Sequence, residues 1–201
     1  PKCVEDTARL LSGRAGAYFY TSSISVYHRN AFATAGATED AQLSDLTGTT
    51  STREPESETY YIRKTLAEMA IKKHFDGRVA IFRAHGLRGE AINEPVDEPY
   101  WPVRLWRGGP ILAPEDGSTW GQFTDIRSYV QFVAGAASNT ALAGAFNVMS
   151  RPFRLKDYFA AISHVTGKTP DLRWCAREKL SLQGIEPYRD LPMWRPDPPG
   201  F

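Results

Sequence analysis

The strongest constraint on the fold is an alternation of short apolar, β-prone runs with segments of helical period. Strand-like runs begin at Ala17, Arg78 and Ala145, and the helical period is clearest over residues 58–74. This alternation predicts a parallel or mixed sheet with helices on its faces. We expect helices at 3–12, 58–74, 100–107, 126–136, 155–166 and 177–183, and strands at 17–21, 78–83, 110–113, 145–149 and 171–174.

Composition and charge narrow the class of partner. The 201 residues carry 24 Lys and Arg against 23 Asp and Glu, without a dense basic block, so neither nucleic acid nor an anionic membrane is an expected partner. No apolar run reaches the roughly 18 residues of a membrane helix, and no signal pattern opens the chain. Cys3 and Cys175 lack metal-ligand spacing and suit a reducing compartment. We expect a cytoplasmic protein without a metal site that binds a small molecule or a protein.

Polar side chains that could carry chemistry follow the first strand and open the long helix. Ser22, Ser23 and Ser25 stand at a strand end, where ligands bind in parallel sheets. Tyr60 and Lys64 are four residues apart, so one helix face presents a phenol beside an ammonium. An ammonium favours the phenolate form of a neighbouring tyrosine, which suits proton transfer. Such a pair also occurs by chance in many helices, and the order of the motifs decides between the two interpretations.

That order resembles one enzyme family. The run Thr21–Tyr27, then Tyr60–Lys64 with Glu68 one turn later, then Ile81–Arg83 followed by Gly89, resembles the extended short-chain dehydrogenase/reductase family, the NAD-dependent epimerase/dehydratase group. Later segments are similar to a bacterial reductase-like branch of that group. These segments are Tyr100–Leu105 with Gly108 and Gly109, Gln122–Arg127, Phe146 and Asn147, Glu186–Tyr188 and Leu191–Trp194.

The resemblance implies a catalytic triad. Ser23 would polarise the substrate oxygen and contact the substrate, and Tyr60 would be the acid/base. Lys64 would bind the nicotinamide ribose and stabilise the phenolate, so Tyr60 and Lys64 would both contact the cofactor. Ser22 and Ser25 are more typical of strand-end capping or packing.

Further residues would line the two sides of the same cleft. Arg83 and His85 follow the next strand and would contact the cofactor, although a structural role is the alternative for His85. Tyr100, Trp101 and Arg104 would contact the substrate, with core packing as the alternative for the aromatic residues and solvent exposure as the alternative for the arginine.

The sequence also departs from the family pattern. Nothing before residue 17 resembles the family's Gly-rich pyrophosphate turn, so the N-terminal half of the cofactor fold is missing from these residues. A proline of the family is Ala84 here, another is Glu90, and the small residue after the catalytic tyrosine is the bulky Tyr61. Pro1 precedes residues that already have a helical period. Either a longer protein supplies the missing half, or the scaffold is a shortened derivative.

We therefore expect an α/β fold, a partial Rossmann-like parallel sheet with helices on its faces plus a small mixed α/β substrate part. Residues 1–90 would form the C-terminal half of a Rossmann-like cofactor domain. Residues 91–201 would form the substrate part, with a helix and strand at about 121–149 returning to the sheet.

The expected function is NAD(P)-dependent oxidation, reduction or epimerisation of a small-molecule hydroxyl or carbonyl. NAD or NADP would bind only if the missing half is present, on this polypeptide or on a partner chain, and a homodimer is also expected from the resemblance. The alternative is a dinucleotide-free derivative that serves as a binding or scaffold subunit, or as a cofactor-independent cyclase or isomerase.

Overall fold

The computed structural model describes residues 1–27, 37–44, 46, 56–89, 100–187 and 189–194. The helices are α1 (Lys2–Leu11), α2 (Glu56–His74), α3 (Tyr100–Arg107), α4 (Ile126–Ser138), α5 (Leu155–Thr166) and α6 (Arg177–Leu182). The strands are β1 (Ala17–Ser23), β2 (Arg78–Ala84), β3 (Leu87–Arg88), β4 (Pro110–Pro114), β5 (Trp120–Gly121), β6 (Thr124–Asp125), β7 (Gly144–Val148), β8 (Phe153–Arg154) and β9 (Asp171–Cys175).

These bounds confirm the predicted helices and strands to within two residues at either end. Most of the predicted loop from 28 to 57, the altered position Glu90, the segment 91–99, Tyr188 and the tail after Trp194 lie outside the described residues.

The chain divides into two compact units. The first holds Pro1–Leu87 and Thr124–Met149, and the second holds Arg88–Phe123 and the described residues from Ser150 to Trp194. The segment around α4 and β7 therefore belongs with the first unit, although it follows much of the second in sequence.

The sheet of the first unit confirms the expected α/β class with a partial Rossmann-like sheet. Its strand order is β1-β2-β7, and both neighbouring pairs are parallel. The central strand β2 is buried from Ala80 to Ala84. Because the strands are parallel, their carboxyl ends lie together on one side of the sheet. The candidate site lies at these strand ends.

Alternating side chains bury both faces of this sheet. Tyr18 and Tyr20 of β1 pack with Ile71 and Phe75 on the side covered by α1 and α2. The opposite face holds the cluster that contains Phe82 and Tyr129 of α4. The period-2 alternation of a strand explains this division.

The second unit is a small mixed α/β arrangement. Strands β4 and β9 pair in parallel, and β5 and β8 pair in antiparallel orientation. Its core includes Trp101, Leu105, Ile111, Leu155, Phe159 and Trp194. In the part of the chain that the structure describes, no helix combines the length and apolarity needed to cross a bilayer.

Candidate active site

A row of polar residues crosses the first unit near the carboxyl ends of its three strands. Ser22 of β1 is the register partner of Arg83 of β2, which in turn is the partner of Asn147 of β7. Register partners place their side chains on the same face of a sheet. The edge predicted to hold the site is therefore polar on all three strands.

Ser23 ends β1 and begins a short 3-10 turn over Ile24–Val26. Its Oγ accepts hydrogen bonds from the backbone N–H of Ser25 at 3.2 Å and from the Ser25 hydroxyl at 3.0 Å. Both bonds use the oxygen as acceptor, so neither uses the proton of Ser23. The half-buried hydroxyl is held in place and keeps a proton that can be donated to a substrate oxygen.

Lys64 bridges α2 and the end of β1. Its Nζ donates to the Thr21 carbonyl at 2.8 Å and lies 5.7 Å from the ring centroid of Tyr60 and 5.1 Å from that of Tyr20. Burial lowers the pKa of the Lys64 ammonium, while the carboxylate of Glu68 acts in the opposite direction. A half-buried cation thus sits between two tyrosine rings.

The two tyrosines differ in their surroundings. Burial raises the pKa of the Tyr20 phenol to about 12, with smaller contributions from Tyr60 and Glu68. Tyr20 therefore stays protonated at neutral pH. Tyr60 is 41% exposed, so it is the phenol beside Lys64 that a ligand can reach.

The structure thus brings two of the three predicted catalytic residues into contact. Tyr60 and Lys64 meet on one face of α2. Ser23 belongs to the same strand end whose Thr21 carbonyl receives Lys64. The complete Ser23, Tyr60 and Lys64 triad stays a prediction.

Behind these residues lies a buried ion pair. Glu68 and Arg83 are 1% and 2% exposed, and the Arg83 guanidinium donates to both carboxylate oxygens, at 2.8 and 3.1 Å. Ser22, also buried, donates its hydroxyl to the same carboxylate at 2.6 Å. Arg83 further donates to the Tyr27 hydroxyl at 2.8 Å, and Tyr27 donates to Asn147 Oδ1 at 2.6 Å.

This ion pair bears on two predicted roles. The contacts seen for Arg83 are internal, and its assignment to cofactor binding stays a prediction. Ser22, expected to cap or pack, joins the ion pair. The sequence shows Glu68 one turn after Lys64 and indicates no role for it. The spacing from Lys64 is the one sign of Glu68 in the sequence, because the burial and the partners of Glu68 depend on the strand register.

His85 follows β2 and is half-buried. Its carbonyl accepts the Thr124 hydroxyl at 2.9 Å, which fixes the backbone at this position. Its role toward a cofactor also stays a prediction.

Three of the residues predicted to contact substrate, Tyr100, Trp101 and Arg104, lie on α3 in the second unit. Trp101 is a core side chain, 1% exposed, whose ring N–H donates to the Pro192 carbonyl at 2.7 Å. The guanidinium of Arg104 donates to the carbonyls of Gly108, at 2.6 Å, and Pro110, and so caps the end of α3. Tyr100 is half-buried and packs edge to face on Trp101. The contacts seen for Trp101 and Arg104 are internal, and substrate contact by Tyr100, Trp101 and Arg104 stays a prediction.

The described residues fit one end of a nicotinamide dinucleotide better than the other. Ser23, Tyr60 and Lys64 present a hydroxyl, a reachable phenol and a fixed ammonium, the groups predicted to contact the nicotinamide ribose and a substrate. Among the described residues, no Gly-rich turn leads from a strand into a helix N-terminus that could receive the pyrophosphate. Over the same part of the chain, no cluster of three or more His, Cys, Asp or Glu residues could hold a metal ion.

Comparison with known proteins finds similar folds among solved structures. No protein-family model and no curated protein matches the chain. The Bordetella bronchiseptica enzyme WbmG in complex with NAD and UDP has a TM-score of 0.62 at 19% identity, and the match covers 97% of this chain and 56% of that one. UDP-glucuronic acid 4-epimerase from Bacillus cereus in complex with NAD gives 0.57 at 16% identity, covering 95% and 63%. dTDP-4-dehydrorhamnose reductase from Bacillus anthracis in complex with NADP gives 0.60 at 16% identity, covering 95% and 66%.

These matches show that the chain shares its fold with those enzymes over nearly its whole length. The chain spans between 56% and 66% of the length of these three structures. What they share with this chain at such identities is the fold.

Proposed function

We propose that this chain is the catalytic and substrate-binding portion of an NAD(P)-dependent oxidoreductase or epimerase that acts on a hydroxyl or carbonyl of a small molecule. The observation that carries the proposal is the Lys64 ammonium, held by the Thr21 carbonyl against the ring of the exposed Tyr60. The shared fold with the NAD- and NADP-bound enzymes supports the same assignment.

The chain's own residues would divide the proton chemistry among them. The Ser23 hydroxyl donates a hydrogen bond to the substrate oxygen and orients it. In the oxidation direction, the Tyr60 oxygen takes the proton of the substrate hydroxyl, and it returns that proton in the reduction direction. Lys64 stabilises the charge that Tyr60 carries when deprotonated. The bound nicotinamide supplies hydride acceptance or donation at the substrate carbon.

The remainder of the dinucleotide needs a binding surface that the described residues do not provide. We propose that a further segment of the polypeptide, or a partner chain, supplies the pyrophosphate site. NAD and NADP are both candidates, because the residues that would distinguish them belong to that part of the fold. Pairing of two copies and a cytoplasmic location belong to the same proposal.

Nucleotide-linked sugars are the substrate class to test first. Two of the similar structures are named for reactions of such compounds, and the third contains UDP. The substrate offers a secondary hydroxyl or a ring carbonyl, the group that a phenol, a hydroxyl and a nicotinamide can oxidise or reduce.

Cofactor titration tests the proposal. The intact natural polypeptide, its length established by mass spectrometry, is titrated with NADH and with NADPH while the cofactor fluorescence is followed. We expect binding of at least one of them. A natural chain of this length that binds neither, alone or with its partner, contradicts the proposal and supports a dinucleotide-free derivative.

Lys64→Met sharpens the titration. Loss of a charged donor to the nicotinamide ribose weakens binding about tenfold or more, the usual effect of losing a hydrogen bond from a charged group. Lys72→Met is the matched control, because Lys72 lies exposed on the same helix. Equal affinity of the two variants would contradict the role of Lys64.

A further inference from the structure

The most unusual group outside the proposed triad is the carboxylate of Glu68. It is 1% exposed and receives three hydrogen bonds, one from the Ser22 hydroxyl and two from the Arg83 guanidinium. A buried carboxylate is tolerated when it is paired and hydrogen-bonded in this way. Burial of a charge opposes folding unless partners compensate for the lost hydration, so the position of Glu68 points to a specific role.

Glu68 and Lys64 form two consecutive attachments between α2 and β1. The two residues are four apart, so they project from the same face of the helix. Lys64 binds the Thr21 carbonyl at 2.8 Å, and Glu68 binds the hydroxyl of the next residue, Ser22, at 2.6 Å. Adjacent turns of the helix therefore bind adjacent residues of the strand, which fixes both the rotation of α2 and its position along β1.

The ion pair extends this attachment across the sheet. Arg83 lies on the central strand and donates to the Tyr27 hydroxyl and to the Glu39 carbonyl, at 2.8 and 3.0 Å. Tyr27 donates to Asn147 of β7. The same buried cluster thus connects α2, all three strands and the described segment 37–44.

From this geometry we propose that Glu68 is a positioning residue, which holds α2 on the end of β1 and thereby keeps the Lys64 ammonium on the Thr21 carbonyl beside Tyr60. Glu68 acts through Lys64 and Tyr60 and touches no reacting atom. The catalytic consequence rests on the proposed function, whereas the positioning of Lys64 can be measured without it.

Ser22→Ala is the decisive variant. It removes one hydrogen bond to Glu68 while it leaves the Glu68 and Arg83 charges paired. Ser12→Ala is the matched control, because the Ser12 hydroxyl also binds a carboxylate, that of Asp76 at 2.8 Å, on an exposed part of the chain. Glu68→Gln is a second variant, of similar shape but without the charge.

The measurement is the rate at which each lysine of the natural full-length protein is reductively methylated, followed by mass spectrometry. Lys72 and Lys73 on the same helix are exposed and serve as internal references. In Ser22→Ala we expect the rate at Lys64, relative to both references, to rise about fivefold, as loss of one hydrogen bond of ordinary strength allows. An unchanged ratio in Ser22→Ala, with native circular dichroism, overturns the proposal.

Kinetics separate this proposal from the proposed function. Once a substrate is identified, Ser22→Ala and Glu68→Gln should lower kcat about tenfold with little change in KM. The reason is that misplacement of the Lys64 ammonium beside Tyr60 slows the chemical step. Ser12→Ala should change neither constant. If Tyr60→Phe retains full activity, the proposed function fails while the methylation ratio still decides the role of Glu68. If Tyr60→Phe is inactive and both variants at the Glu68 site match the wild type, the positioning role alone is contradicted.

Discussion

At the scale of single residues, the surroundings of Lys64 separate two tyrosines with the same chemistry. Tyr20 is half-buried on β1, where burial raises the pKa of its phenol to about 12. Tyr60 is open to solvent on α2. Only one of the two phenols beside the Lys64 ammonium is open to a ligand, and for this reason Tyr60 is the one proposed as the acid/base.

The raised pKa of Tyr20 predicts how stability changes at high pH. The unfolded chain ionises this phenol near pH 10, whereas the folded protein keeps the proton until about pH 12. The stability contributed by the neutral phenol is therefore complete below about pH 10 and is lost as the pH rises toward about 12. Tyr20→Phe should flatten the alkaline decline in the free energy of unfolding, measured by urea denaturation. Parallel declines in variant and wild type would contradict the shift.

Local spacing explains which of these residues the sequence could reveal. The contact between Tyr60 and Lys64 follows from a separation of four residues on one helix, which is visible in the sequence. The buried pair of Glu68 and Arg83 also depends on how α2 packs and on the register that places Arg83 beside Ser22. No local pattern contains that information.

At the scale of elements, α4 is fixed at both ends by side chains from outside its hydrogen-bonded turns. At its start, the Asp125 carboxylate accepts the backbone N–H of Ser128 at 3.0 Å. At its end, the guanidinium of Arg78, which lies at the start of β2, donates to the carbonyls of Ala136, Asn139 and Leu142 at 2.9 to 3.1 Å. The same guanidinium packs on the Phe19 ring, 5.0 Å from its centroid. A cation at a helix C-terminus also stabilises the helix dipole.

Arg78→Met should therefore lower the free energy of unfolding by about 1–3 kcal/mol, because carbonyls at the end of α4 lose a charged donor. Arg14→Met, at an exposed position in the turn before β1, should change it by less than about 0.5 kcal/mol. Chemical denaturation of both variants provides the comparison. Equal stability of the two would show that Arg78 does not hold the helix end.

At the scale of the whole molecule, the periodicity of the sequence predicted the kinds of element, whereas the return of the segment at about 121–149 to the sheet was expected only from the family resemblance. Alternating apolar runs are enough to predict an α/β fold, because each run has the period of its own secondary structure. In the order β1-β2-β7, the paired strands β2 and β7 are separated in sequence by four other strands, β3 to β6. Such long-range pairing has no local signature. The resemblance, by contrast, predicted the fold that the solved structures show.

The strand order leaves β1 at one edge of the described sheet and β7 at the other. If a further segment or a partner chain completes the cofactor fold with strands that precede β1, we expect it to cover the β1 edge, because an open strand pairs readily with other chains. Hydrogen exchange of the natural protein should then protect the β1 amides as strongly as those of β2. Rapid exchange along β1 in the complete protein would contradict a completed sheet.

The proposed role of Tyr60 in carrying the proton during turnover is tested most directly by comparing two neighbouring tyrosines. Tyr60→Phe and Tyr61→Phe each remove one hydroxyl from the exposed side of α2, where the two residues are 41% and 37% exposed. Steady-state rates are followed by the absorbance of the reduced cofactor with a panel of nucleotide-linked sugars. We expect Tyr60→Phe to lower kcat by about 100-fold or more with native folding, and Tyr61→Phe to stay within about threefold of the wild type. Full activity of Tyr60→Phe would contradict a role of Tyr60 in proton transfer.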